Sequence, residues 1–369
     1  MRILQVGKFY APSRGGIETL VLNLSEGLAA AGDSVTVLCS ADSNRGTVED
    51  RGDVRVVRAA TWAKVFSQPL SPALPAHVMR EARRADLVHV HTPNPLVEVT
   101  VLGLPRTMPL VVSWHSDIVS QPGLARVYEP LARAFLRRVN AVVVATPHHI
   151  RYSPLLGDFS AKCHVIPYGI AHPPALAPDV DPHGTQGRYG SDYLLYVGRL
   201  VPYKGVDVLL RAVEQTPRAT LVVAGDGPMR GELERQAAGA GMAHRVHFVG
   251  SVSDQALAEL YRGCSALVLP SVTRAEAFGL VLAEAMSYGK PVISTRLDSG
   301  VTLVNLHDVT GLVVPPADPG ALSQAISSLL EAPERRARLG EQAQQRFREH
   351  YSRDALVTRM RALYARLVA

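Results

Sequence analysis

Ala266-Leu-Val-Leu-Pro-Ser-Val-Thr-Arg-Ala-Glu-Ala-Phe-Gly-Leu-Val-Leu-Ala-Glu-Ala-Met-Ser-Tyr-Gly-Lys-Pro-Val-Ile-Ser294 holds two short apolar runs, 266–269 and 291–294, separated by a helical pattern starting near Gly279. Short apolar runs bounded by turn signals read as buried strands. Two strands joined through a helix form a parallel pair, because such a connection must cross back over the sheet. The same alternation recurs at 193–197, 219–224 and 246–249, with helical stretches such as 206–213 and 255–261 between them. Earlier runs at 2–6, 35–38, 54–57, 87–90, 110–113, 141–145 and 164–166 repeat it. The spacing therefore predicts an α/β chain whose parallel sheets are covered on both faces.

At 369 residues the chain is long enough for two domains. The segment AHPPALAPDVDPHGTQGRYG crowds proline and glycine between the two series of strands and reads as a linker over 171–190. The expected division is an amino-terminal Rossmann-like domain over 1–170, the linker, a second such domain over 191–350, and a helix over 351–369 that packs back on the first domain. Two parallel-sheet domains can present the carboxyl ends of their strands, where ligands bind, to each other across a cleft.

Apolar residues make up 47% and charged residues 20%, a globular composition that excludes a disordered or coiled-coil chain. The formal charge of +6 suits anionic small molecules or an acidic membrane surface. It lacks the clustered arginines and interleaved aromatics of a nucleic-acid binder. Cys39, Cys163 and Cys264 stand far apart, so neither a disulfide scaffold nor a zinc site is expected. No apolar run approaches the ~20 residues needed to span a bilayer, and Met1-Arg-Ile-Leu-Gln-Val-Gly lacks the apolar region of a signal peptide. The expectation is a cytoplasmic protein, soluble or peripheral on the inner face of the membrane.

Three strand-to-helix junctions carry candidate chemistry. In the loop from Gly7 to Glu18, Gly15 and Gly16 let backbone N–H groups approach an anion at a helix start, or form a flexible turn. The loop lacks GxGxxG, which argues against a dehydrogenase. In Tyr196-Val-Gly-Arg-Leu-Val-Pro-Tyr-Lys-Gly-Val-Asp, Arg199 offers a planar fork and Lys204 a mobile point charge, together matching a diphosphate. In the opening stretch Glu276 precedes the helix, and the N–H groups of Phe278, Gly279 and Leu280 are left for a ligand. Glu284, acidic within an otherwise apolar helix, invites a polar partner such as ribose hydroxyls. The alternatives are an exposed carboxylate at Glu284 and an N-cap or dipole role at Glu276.

EAFGLVLAE, GRLVPYKG and the GGIE loop together resemble the retaining nucleotide-sugar glycosyltransferases of family 4, which have the GT-B fold of two Rossmann-like domains facing across a cleft. The resemblance spans nearly the whole chain. It implies that Arg199 and Lys204 hold the donor diphosphate, that Glu276 bonds the transferred sugar, that Glu284 holds the ribose, and that Phe278, Gly279 and Leu280 supply amides. His247-Phe-Val-Gly-Ser-Val would lie against the nucleobase. His115, in Val112-Ser-Trp-His-Ser-Asp, matches the family's active-site histidine, and Asp117 could hold an acceptor hydroxyl.

HVHTPNP, HSD and SVTRAEAFGL are similar to bacterial enzymes that transfer mannose or rhamnose from GDP-sugars to lipid-linked saccharides of the cell surface; UDP-sugars are the runner-up donors. No cofactor or metal is implied. His89 and His91 lack accompanying ligands and are assigned to packing and hydrogen bonding, and Asp179-Val-Asp181 falls in the linker. After Ser294-Thr-Arg the chain reads Leu297-Asp-Ser-Gly, where many relatives have a Gly-rich turn and a glutamate. Pro130 could begin a helix whose Arg133, Arg137 and Arg138 flank Leu131, Ala134 and Phe135, a basic amphipathic segment for anionic lipid or an ordinary solvated face. The reading from another class is a nucleotide-sugar-binding or scaffold protein without turnover.

Overall fold

A computed structural model describes residues 1–13, 15–65, 68–115, 122–173 and 184–369. The chain divides into unit 1, Met1–Ala171 with Arg353–Ala369, and unit 2, His172–Ser352.

Unit 1 contains β1 (Arg2–Val6), β2 (Ser34–Ser40), β3 (Thr47–Arg51), β4 (Val54–Ala59), a hairpin of β5 (Ala63–Val65) and β6 (Gln68–Leu70), β7 (Leu87–Thr92), β8 (Leu110–Trp114), β9 (Ala141–Val144) and β10 (Cys163–Val165). The main sheet runs β10-β9-β8-β7-β1-β2-β4-β3, parallel except for β3. Strands β7, β8 and β9 are buried along their whole length, as helices on both faces require. One face packs against Leu74, Val78, Val97, Val101, Phe135 and Leu136. The other is covered by Gly16–Ala30 and by the carboxyl-terminal helix Arg353–Val368, through Val21, Leu24, Leu28, Val357, Met360 and Tyr364. Strand order reverses between β1 and β7, the switch point at which an open α/β sheet leaves a crevice.

Unit 2 contains β11 (Leu194–Val197), β12 (Leu221–Ala224), β13 (Val246–Gly250), β14 (Ala266–Leu269), β15 (Val292–Thr295) and β16 (Gly311–Val314), all parallel, in the order β13-β12-β11-β14-β15-β16. Its switch point falls between β11 and β14. The strands that precede the Arg199–Lys204 loop and the Glu276 loop are therefore neighbours.

Two local expectations are corrected. The segment read as linker is partly helical, since Gly184–Tyr189 forms a helix that buries Tyr189. Pro130 does not begin its helix but lies inside Pro122–Arg138. The residues flanking it there serve the fold: Phe135 is fully buried, Arg133 pairs with Glu129 at 2.8 Å and Asp158 at 2.6 Å, and Arg138 donates to the Pro105 and Met108 carbonyls. Among the described residues no helix is long and apolar enough to cross a membrane.

Candidate functional site

In unit 2 the loops after β11 and β14 are brought into contact by Gly205. It sits at φ +66°, and an added Cβ would lie 2.3 Å from the Pro270 carbonyl oxygen, so only glycine fits. Val272 N–H donates to the Tyr203 carbonyl at 2.8 Å, fastening the same two loops. Lys204 Nζ consequently reaches Glu276 Oε2 at 2.5 Å, with the two side chains only 13% and 10% exposed. Ser271 Oγ donates to the same carboxylate oxygen at 2.9 Å, and Thr295 Oγ1 donates to the Ser271 carbonyl. Glu276 is thus an acceptor whose orientation is held from two sides. The Arg199 side chain is exposed, and its carbonyl accepts from the buried Tyr196 hydroxyl at 3.0 Å.

The helix Leu280–Ser287 follows directly, with Gly279 at φ +75° as its N-cap. A left-handed residue there turns the chain sharply into the helix. The N–H groups of Gly279 and Leu280 have no acceptor among the described residues, so the positive end of the helix dipole is open to an anion. The Phe278 side chain is buried edge-on against Tyr351. Glu284 is half-buried and accepts from the Tyr261 hydroxyl at 2.5 Å; burial raises its pKa. His247 packs against Tyr189 with ring centroids 5.1 Å apart and, with Arg188, Phe248 and Val249, lines a cavity of about 670 Å³.

In unit 1, Gly15 precedes the helix Gly16–Ala30, but the Glu18 carboxylate folds back so closely that a Cβ on Gly15 would lie 2.1 Å from its oxygen. An anion arriving there has to displace that carboxylate. His115 follows β8 and is 9% exposed. Its Nδ1 lies 2.9 Å from the Tyr168 hydroxyl and its Nε2 lies 3.1 Å from His91 Nδ1. Burial pushes its pKa down to about 3, so the ring is neutral at ordinary pH. His89 and His91 are fully engaged in hydrogen bonds, in keeping with their assignment to packing and hydrogen bonding. No group of three or more His, Cys, Asp or Glu side chains suited to a metal occurs among the described residues.

Residues 15–169 fit the family described as Glycosyl transferase 4-like domain, and residues 185–346 fit Glycosyl transferases group 1. The chain is 34% identical to the D-rhamnosyltransferase WbpZ of Pseudomonas aeruginosa over 95% of its own length and 92% of the relative's. It is 32% identical to the O-antigen chain mannosyltransferase C of Escherichia coli over 100% of its length and 99% of the relative's. The chain belongs to the group 1 glycosyltransferases. This glycosyltransferase shares the GT-B fold with Anabaena HepE, solved in complex with UDP, at TM-score 0.79 and 21% identity over 99% of this chain and 100% of that one.

Of the residues singled out in this glycosyltransferase, the structure brings Lys204 and Glu276 into contact, with the Gly279 turn in the same loop. Asp117 lies outside the described residues. Ser271, Tyr261 and Tyr168 were missed. Ser271 had a signal in its place directly after the Pro270 that ends a strand; a tyrosine that meets a carboxylate or an imidazole only through the fold had none.

Proposed function

We propose that this glycosyltransferase moves a hexose, mannose or rhamnose, from a GDP-linked donor to a lipid-linked saccharide in surface polysaccharide or lipopolysaccharide synthesis, with retention of configuration and without a metal. The names of the full-length mannosyl- and rhamnosyltransferase relatives support the sugar and the pathway class. A lipid-linked acceptor would bring the protein to the inner face of the cytoplasmic membrane as a peripheral enzyme. UDP is the second donor reading, supported by the fold shared with a UDP-bound protein.

The observation that carries the chemistry is the buried Lys204–Glu276 pair held against the start of the Leu280–Ser287 helix at the switch point of unit 2. Breaking the bond between an anomeric carbon and a diphosphate builds negative charge on phosphate and positive character on the sugar ring. Lys204 alone cannot answer the first demand, because Glu276 already balances it. Exposed Arg199 and the unpaired N–H groups of Gly279 and Leu280 supply the remaining positive field, the two amides being fixed in place before reaction. Glu276, oriented by Lys204 and Ser271, bonds the transferred sugar, and the second oxygen of Glu284 serves the ribose. In unit 1, neutral His115 contacts the sugar, Gly15 and Gly16 approach the donor, and Asp117 serves the acceptor.

Thermal unfolding with GDP, UDP, ADP and TDP tests the donor: a ligand at a hundred times its Kd stabilises by about 2.7 kcal/mol, and GDP should give the largest shift. Glu276→Ala should then abolish sugar transfer while the nucleotide-dependent shift persists. Unchanged transfer would refute the assignment of Glu276, and a shift without any transfer by the native chain would favour a binding protein.

A further inference from the structure

Beyond Tyr168 and His91, His115 belongs to a longer buried chain inside unit 1. His91 Nε2 lies 2.9 Å from Gln5 Oε1, and Gln5 Nε2 donates to the Tyr364 hydroxyl at 3.3 Å. That hydroxyl lies 2.6 Å from His89 Nδ1, and His89 Nε2 lies 2.9 Å from Ser113 Oγ. Gln5, His89, His91 and Tyr364 are between 0% and 3% exposed, so water does not compete for these links. Burial keeps all three imidazoles neutral.

A neutral imidazole has one N–H donor and one bare acceptor nitrogen, and a hydroxyl can do both. Gln5 alone in this chain has two ends that cannot exchange roles, since its oxygen only accepts and its nitrogen only donates. Gln5 Oε1 therefore requires the proton of His91 on Nε2. His91 Nδ1 is then bare and takes Nε2–H of His115, whose own bare Nδ1 takes the Tyr168 hydroxyl proton. On the other side Gln5 donates to Tyr364, Tyr364 donates to His89 Nδ1, and His89 Nε2–H points to Ser113. Every link runs in one direction, from Tyr168 to Ser113, and rotating the Gln5 amide by half a turn would reverse them all.

We propose that Gln5, held by Tyr364 of the carboxyl-terminal helix, is a positioning residue that fixes His115 as the Nε2–H tautomer, leaving Nδ1 as an acceptor that takes a hydroxyl and refuses a carboxylate or phosphate oxygen. A sugar hydroxyl can replace Tyr168 at Nδ1; an oxygen without a proton cannot. The consequence for substrate rests on the reading of His115 as a sugar contact, whereas the tautomer does not.

Long-range ¹H–¹⁵N spectra of the full-length protein with labelled histidines test this directly. At pH 7 His89, His91 and His115 should each be protonated on Nε2 alone. Gln5→Glu accepts at both ends, so Tyr364 must turn its proton toward the new carboxylate and His89 should move to the Nδ1–H form while His115 keeps its own. Tyr364→Phe preserves ring volume but removes the amide's anchor, and a second tautomer should appear at His115 together with a severalfold rise in KM for the donor. An Nδ1–H or doubly protonated His115 in the native protein would overturn the proposal, as would a His89 spectrum unmoved by Gln5→Glu. The expected spectra with an unmoved KM in Tyr364→Phe would uphold the relay and count instead against His115 as a sugar contact.

Discussion

Lys204 and Glu276 neutralise each other where little of either side chain reaches water, and removing one partner strands the other charge. Lys204→Met should cost about 3 kcal/mol of unit 2 stability, the scale for breaking a buried pair. The double variant Lys204→Met/Glu276→Gln should recover most of the unfolding temperature and none of the sugar transfer. Equal unfolding temperatures for the native and single-variant proteins would show that the pair is not a desolvated one. The histidines of unit 1 carry a pH dependence. Burial pushes His89 and His115 down to about 3, against about 6.5 in an unfolded chain. Between those values the unfolded state binds protons that the folded state refuses. Their contribution is therefore complete above pH 6.5 and lost as pH falls toward 3, by up to about 1.4 kcal/mol per pH unit for each histidine. Urea midpoints at pH 5 and pH 7 measure this slope, which should flatten in His89→Gln, a side chain with a donor and an acceptor but no titration.

Elements place these residues through backbone fit, and Gly205 is the sharpest case. Gly205→Ala needs a left-handed residue to carry a Cβ into the Pro270 carbonyl, a strain of about 1–3 kcal/mol. The substitution should lower the unfolding temperature and weaken nucleotide binding, as the loops holding Lys204 and Glu276 move apart; isothermal titration of the variant checks the second effect. That glycine was visible in GRLVPYKG, but the need for it was not, because the clashing carbonyl belongs to a loop sixty-odd residues away. The inner strands were legible because burial on both faces leaves continuous apolar runs such as those of β7 and β9. Strand β3 was not, since Thr47–Arg51 is exposed along its whole length and pairs only at the sheet edge, with no apolar pattern to betray it. The helix Pro122–Arg138 was misread at Pro130 because a proline usually marks a first turn. Motifs exposed the loop chemistry, while Tyr261 and Gln5 acquired their partners only through tertiary contact.

At the scale of the molecule, the chain returns at its end to the unit in which it began. Arg353–Val368 buries Leu356, Val357, Met360, Leu363 and Tyr364 in the core of unit 1. Its approach to Gly16–Ala30 is so close that a Cβ on Gly27 would lie 2.5 Å from Val357 Cγ2. Each large apolar side chain buried contributes about 1.5–3 kcal/mol, so the five together rival the 5–15 kcal/mol that holds a whole domain. Truncation after Ser352 would also uncover the opposing faces of Val21, Leu24 and Leu28 and remove the hydroxyl to which Gln5 and His89 are bound. Unit 2, His172–Ser352, keeps every residue of its own sheet. Calorimetry of the truncated protein should therefore lose the transition of unit 1 and retain one that still rises in temperature with added nucleotide, whereas two intact transitions would mean that the last helix is dispensable to the core it fills.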